Sequence, residues 1–353
     1  MRGLAVLIMI QCHIFNSFIR KDLSEAGPYV LSQFVGGMAA PLFLFMAGMT
    51  LAFQMDSLER REPAPLRRWL ISLRRGVYIL GIAFAFRLSN FIASLPHADP
   101  NEIIKVDILN CMGVGMAALA VASVFDGRGR ARFAAAAGLV IAVAAPLVAN
   151  ANWEQAPVLL RHYVAAEPGL GRFAFFPCAA YVAFGLAAGT VVRRTAADRI
   201  DRLMQWSVLM GLALVLPAQY FSNGPYSIYP KSDFWIDGPA LVLIRAGISL
   251  LLMSGSYLWT EYCAGAGWSW VQTLGKNSLM VYWVHVMLVY GDIIKGFKHS
   301  LAVPETLLAT LTVILLMLGL SVAWLWWKAH RVRRGNLMPA TGPAAYEMMP
   351  PRR

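Results

Sequence analysis

The sequence predicts an all-α integral membrane protein: a bundle of about ten transmembrane helices with both termini in the cytoplasm. Three observations carry that expectation. Hydrophobic residues make up 58 % of the 353-residue chain and charged residues only 14 %, against about 25 % charged in soluble domains. The apolar residues fall in long runs near the roughly 20 residues a bilayer span needs. The formal net charge of +12 sits in short clusters between those runs, the pattern of a cytoplasmic lipid-facing surface and not of a nucleic-acid groove.

The expected spans, in order, are residues 3–20, 31–54, 76–95, 107–125, 133–150, 173–192, 203–221, 238–260, 273–291 and 306–327. The first has the length of a secretory signal but lacks a substantial basic n-region and a small-x-small cleavage site, so it is read as a span. The loops after it alternate in charge. "LERREPAPLRRWLISLRR", "DGRGRAR", "RRTAADRIDR" and "KAHRVRRG" carry six, three, four and four Lys/Arg. The opposite loops, 20–30, 96–106, 151–172, 222–237 and 292–305, carry two, one, two, one and two. The positive-inside rule therefore puts the first set in the cytoplasm. The loop after the eighth span has only Lys276 near it. Residues 1–328 form the membrane domain, and 329–353 are expected to be a disordered cytoplasmic tail.

The outer loops are rich in aromatics, Pro, Asn and Gly. Trp153, Tyr226, Tyr229 and Trp235 either stack on an acceptor or anchor the interface. Of the four cysteines, Cys12, Cys111, Cys178 and Cys263, three lie in apolar runs and none makes a CxxC pair. Neither a disulfide framework nor a metal site is expected.

Ionisable residues within spans are costly and are functional candidates. Here they are His13, Arg87, Asp107, Arg245, Lys276 and His285. At about 1.5 Å per residue, His13 lies roughly 16 Å beyond Arg2, Arg87 roughly 18 Å beyond Arg75, and Arg245 roughly 10 Å below the outer face. Asp107 opens its span at the outer end, and His285 lies past the midplane. Five groups from five spans thus fall in the outer half, with Lys276 alone near the inner face. The alternative for Arg87, Asp107 and Arg245 is an ion cluster that fixes helix packing. For His285 it is a satisfied core histidine.

Arg2 and His13 are eleven residues apart, within about 20° of three whole turns, and so share one helix face. That spacing suits a long ligand with an anionic head at the cytoplasmic mouth and its reactive end near the histidine, the shape of a coenzyme A ester. Arg67, Arg68, Arg74 and Arg75 supply guanidinium groups suited to nucleotide phosphates; their alternative is a positive-inside anchor.

The Arg-x10-His of "RGLAVLIMIQCH" on the first span resembles the transmembrane acyltransferase superfamily. "APLFLFMAGMTLAF", "RFAFFPCAAYVAFGLAAG" and "LGKNSLMVYWVHVMLVYG" resemble the bacterial branch of its heparan-α-glucosaminide N-acetyltransferase family. The resemblance implies transfer of an acyl group, often acetyl, from cytosolic acyl-CoA to a sugar hydroxyl or amine across the membrane, in a bacterial cytoplasmic (inner) membrane. It makes His13 the catalytic base or acyl acceptor and Arg2 a donor-binding residue. Arg74 and Arg75 fall where relatives have arginines facing the CoA, and in the ninth-span stretch Lys276 and Asn277 are expected donor-binding residues and His285 a catalytic one, beside Arg87, Asp107 and Arg245. The chain has no His between His13 and His97, which leaves both direct transfer and an acyl-histidine route open. Expected partners are the bilayer, acyl-CoA as donor and a glycan or other small extracytoplasmic acceptor. No nucleic acid is expected, and a homo-oligomer is left open. A transporter or flippase without covalent chemistry is the rival reading; it would favour broken spans in two matched halves. Pro41 and Pro177 lie within spans, but no matched halves are visible. A membrane scaffold, which needs no buried histidine, is the weaker rival.

Overall fold

The computed structural model describes residues 1–95, 101–165, 173–224, 227–263, 267–291 and 294–335. Among these the chain is helical. Its α-helices are α1 (Arg2–Phe18), α2 (Gly27–Gly36), α3 (Ala39–Arg61), α4 (Pro65–Ala93), α5 (Asn101–Ile104), α6 (Ile108–Leu119), α7 (Gly127–Ala149), α8 (Val158–Val164), α9 (Phe175–Arg194), α10 (Ile200–Ser222), α11 (Pro239–Leu258), α12 (Trp270–Lys276), α13 (Ser278–Tyr290) and α14 (Val303–Gly335). The only β-type pairing among the described residues is two isolated bridges, Ile19 with Leu301 and Ala165 with Phe176.

Seven helical stretches among the described residues are long and apolar enough to cross a membrane: Gly27–Arg61, Pro65–Ala93, Gly127–Ala149, Phe175–Arg194, Ala197–Ser222, Pro239–Cys263 and Val303–His330. Three shorter apolar helices, Arg2–Phe18, Ile108–Val124 and Ser278–Tyr290, fall on the first, fourth and ninth of the expected runs. Inside some runs the backbone differs from a single straight helix. The run at 31–54 is two helices, α2 and α3, that meet at Gly37 and Met38. The run at 107–125 tightens after Leu119 into a 3₁₀ turn, Ala120–Val124. The run at 273–291 breaks at Asn277 (φ −108°, ψ 21°), where the buried amide Nδ2 donates to the carbonyls of Thr273 and Ser321, each at 3.3 Å. Helix α14 continues to Gly335, beyond the expected domain boundary at 328. The rest of the expected tail, 336–353, lies outside the described residues.

The central pair is α3 against α9. A Cβ on Gly185 would sit 1.9 Å from the Phe45 carbonyl oxygen, and one on Gly48 would sit 2.0 Å from that of Val182. Glycine at both places lets the two backbones touch, the small-residue solution to helix packing where lipid supplies no hydrophobic drive. Leu44, Leu51, Met55, Ala179, Val182 and Leu186 fill the core between them.

The arginine-rich end of the bundle is closed by an ion network. Asp56 and Glu59 on α3 face Arg60, Arg130, Arg193 and Arg194. Arg130, which sequence patterning assigns to a solvated basic loop, is fully buried. Its Nη2 donates to Glu59 at 2.8 Å and to the Phe125 carbonyl at 3.1 Å. Arg68 is buried as well and reaches the Val124 carbonyl. These two arginines clamp helices.

Candidate active site

At the other end the helices part around a cavity of about 1770 Å³. Four of the ionisable residues singled out from sequence line it: His13 from α1, Arg87 from α4, Asp107 at the start of α6 and Arg245 from α11. Tyr181, Tyr282 and Tyr290 line it too. His285 is absent from the lining; it is fully buried directly behind His13.

The two histidines come from opposite ends of the chain and bond to each other. His13 Nδ1 lies 3.0 Å from His285 Nε2, with the rings stacked at 5.1 Å. His285 Nδ1 lies 2.6 Å from the carbonyl oxygen of Val281, one turn back on α13. A carbonyl only accepts, so His285 Nδ1 carries the hydrogen. In the neutral pair His285 Nε2 is then an acceptor, and His13 Nδ1–H must donate to it. That leaves the lone pair of His13 on Nε2. Tyr290 packs edge-on against the His13 ring at 5.2 Å. A half-buried histidine whose proton position is fixed by a second residue is the arrangement a general base needs.

Asp107 is the N-cap of α6. It accepts from the backbone of Leu109 at 2.9 Å and of Asn110 at 3.3 Å, and the Asn110 side chain accepts from the Asp107 N–H, closing a capping box. Its other oxygen faces Arg87 Nε at 3.1 Å, both side chains nearly buried. Asn110 Nδ2 donates to the Tyr163 hydroxyl at 2.8 Å, tying the outer helix α8 to the cavity wall. Arg245 lies against the break between α2 and α3: a Cβ on Gly37 would come within 2.9 Å of its Nη2.

The remaining candidates lie at the arginine-rich end. Arg75 Nη1 donates to Gln54 at 2.8 Å, and Arg2 is close enough to Arg75 for the two charges to repel. Arg74 and Lys276 are exposed. Gly275 packs on the backbone of Gly3, which puts Lys276 next to Arg2 in space. Asn277 makes both its bonds to backbone carbonyls at the helix break, and it does not line the histidine cavity. Of the outer aromatics, Trp235 lines the cavity mouth and Trp153 an adjoining pocket. Tyr229 donates to the Val143 carbonyl at 2.9 Å, and Tyr226 lies outside the described residues. Sequence reasoning missed Tyr181, Tyr282 and Tyr290. Tyr282 stands three residues before His285, one turn away on the same face, and that spacing was the available signal.

A helical, membrane-type bundle that presents a bonded histidine to a large cavity flanked by arginines is fitted to group transfer through a proton-accepting base. The chain belongs to the Acyltransferase domain family, whose profile matches residues 1–328; it is a membrane acyltransferase. No curated protein matches the chain.

Proposed function

We propose that the protein moves an acyl group, acetyl by its resemblances, from cytosolic acyl-CoA to a hydroxyl or amine of an extracytoplasmic glycan or similar small acceptor. The observation that carries this reading is the His13–His285–Val281 chain, which leaves His13 Nε2 as a lone-pair base at the cavity. In this reading the arginine-rich end is cytoplasmic and both termini lie on that side. Arg2 and Arg75 lie near each other there, and Arg74 and Lys276 are exposed nearby. Together they form a cationic mouth suited to the nucleotide phosphates of the donor. The cavity reaches inward along α1 to Met9, about 10 Å short of Arg2. The layer between is a packed cluster of Ala5, Leu42 and Met46 with Met1, Ile8 and Leu252 against it. The thioester arm reaches His13 when this layer parts, and methionine side chains deform readily.

In the transfer step the acceptor O–H or N–H gives its proton to His13 Nε2 while the acceptor atom bonds to the acyl carbon. The carbon–sulfur bond then breaks, and the CoA thiolate takes the proton back from His13. His285 is a positioning residue: it holds the His13 hydrogen on Nδ1 and the ring in place. Arg245, or Arg87 balanced by Asp107, stabilises the oxygen that becomes negative in the tetrahedral intermediate. The first test is acetyl-CoA binding and slow thioester hydrolysis by the detergent-purified protein. Binding that survives His13→Ala with turnover lost, and weakens with Arg2→Ala, is expected. No affinity for any acyl-CoA overturns the reading.

A further inference from the structure

A second chamber, of about 730 Å³, opens at the same end as the histidine cavity. Its size lies within the roughly 300–1,000 Å³ range of small-ligand pockets. The two chambers share a wall: Asp233 and Ile236 line both. The outer chamber is built from the segment after α7 and the segment before α11, and these are stitched together. Asn150 Nδ2 donates to the Lys231 carbonyl at 3.0 Å, and Tyr229 reaches back to Val143. The Trp153 indole N–H donates to the Val148 carbonyl at 2.8 Å, fixing the ring. The shared wall is a closed turn in which buried Asp237 accepts from the Ser232 hydroxyl at 3.0 Å and the Asp233 N–H at 2.7 Å.

The lining chemistry is mixed. Glu154, Asp233 and Asp237 stand with Arg161 and Lys231, and Asn152 and Trp153 lie among them. A lining of both signs with one carboxylate in excess disfavours a strongly anionic ligand. Planar carboxylate, amide and guanidinium groups around one indole suit a neutral ligand with many hydroxyls and an apolar ring face.

We propose that the acceptor occupies both chambers at once, its units running from the outer chamber to His13, so that the acceptor is an oligosaccharide and not a single sugar or small alcohol. This rests on the acyl-transfer reading above. The test is equilibrium binding, without donor, of two probes: size-fractionated oligosaccharides released from a bacterial envelope, and the monosaccharides from their complete hydrolysis. Oligosaccharides of three or more rings are expected to bind at least about tenfold more tightly, the scale of one added aromatic stack. Trp153→Ala should remove that preference and Glu154→Gln, at an exposed side chain that leaves the fold intact, should reduce it. Trp206→Ala, on the outward face of α10, should leave it unchanged. Equal binding of both probes, a preference that survives both pocket substitutions, or binding of envelope peptides in place of saccharides would overturn the proposal. Wild-type acetyl-CoA binding, measured on the same preparation, separates the two readings. Donor binding without an oligosaccharide preference sinks the two-chamber acceptor alone. No affinity for any acyl-CoA sinks the acyl-transfer reading, while the saccharide binding still decides the chambers.

Discussion

Arginine meets carboxylate at both ends of the bundle, and the two meetings differ. At the arginine-rich end Asp56 and Glu59 are each shared among several arginines that arrive from α3, α7 and α9. Arg130 is fully buried and bonded to Glu59 and two carbonyls, and Arg60, Arg193 and Arg194 reach the carboxylates from the solvent side. At the other end one pair, Arg87 and Asp107, borders a cavity that also holds His13 and Arg245. Burial alone therefore does not separate structural from chemical charge in this molecule. Open space beside the charge does, because a group that is to meet a substrate must keep a face uncommitted.

The contrast can be broken most sharply at His13. His13→Ala should lower acyl transfer about a thousandfold, the range of a lost general base, with the thermal midpoint in detergent nearly unchanged. A similar loss of stability would return His13 to a packing role. Arg130→Ala should do the reverse. Breaking a buried pair costs about 3–5 kcal/mol, read by denaturation, while transfer per folded molecule stays at the wild-type level.

His285→Ala sharpens the division between touching and positioning. It should lower kcat by about tenfold to a hundredfold with KM held, the usual cost of losing a partner that orients a reactive histidine. A shift in KM alone would count against the positioning role. Asp107 separates cap from charge. Asparagine caps a helix as well as aspartate does, so Asp107→Ala should cost about 1 kcal/mol more stability than Asp107→Asn. Equal losses would show that the capping box contributes nothing. The smallest effect belongs to Arg20, whose pair with Asp22 is about half exposed on both sides. Arg20→Ala should change stability by less than about 1 kcal/mol.

Much of the architecture was legible because the bilayer imposes it. Apolar runs near 20 residues, separated by loops of alternating charge, mark helices whatever their neighbours are. The breaks at Gly37 and Asn277 were not legible. Inside an apolar run no polar period records where a helix turns, and the bonds that satisfy the Asn277 break reach Ser321 on another helix. His13 and Arg2 were legible as one face of one helix, since that relation needs only 3.6 residues per turn. Arg130 was misleading for the opposite reason. Its neighbours "DGRGRAR" read as a solvated loop, and the carboxylate that buries it lies 71 residues earlier on α3.

The sequence alone thus determined the membrane class, the order of the helices, and the short list of ionisable residues inside them. It did so because hydrophobicity and helical rise are local properties. Only the tertiary structure decided that His13 and His285, 272 residues apart, are one hydrogen-bonded unit, that Arg87 belongs to Asp107, and that four charged or titratable side chains share one cavity while Asn277 does not. Those outcomes depend on which helices pack together and at what height, and no local pattern in the chain carries that information.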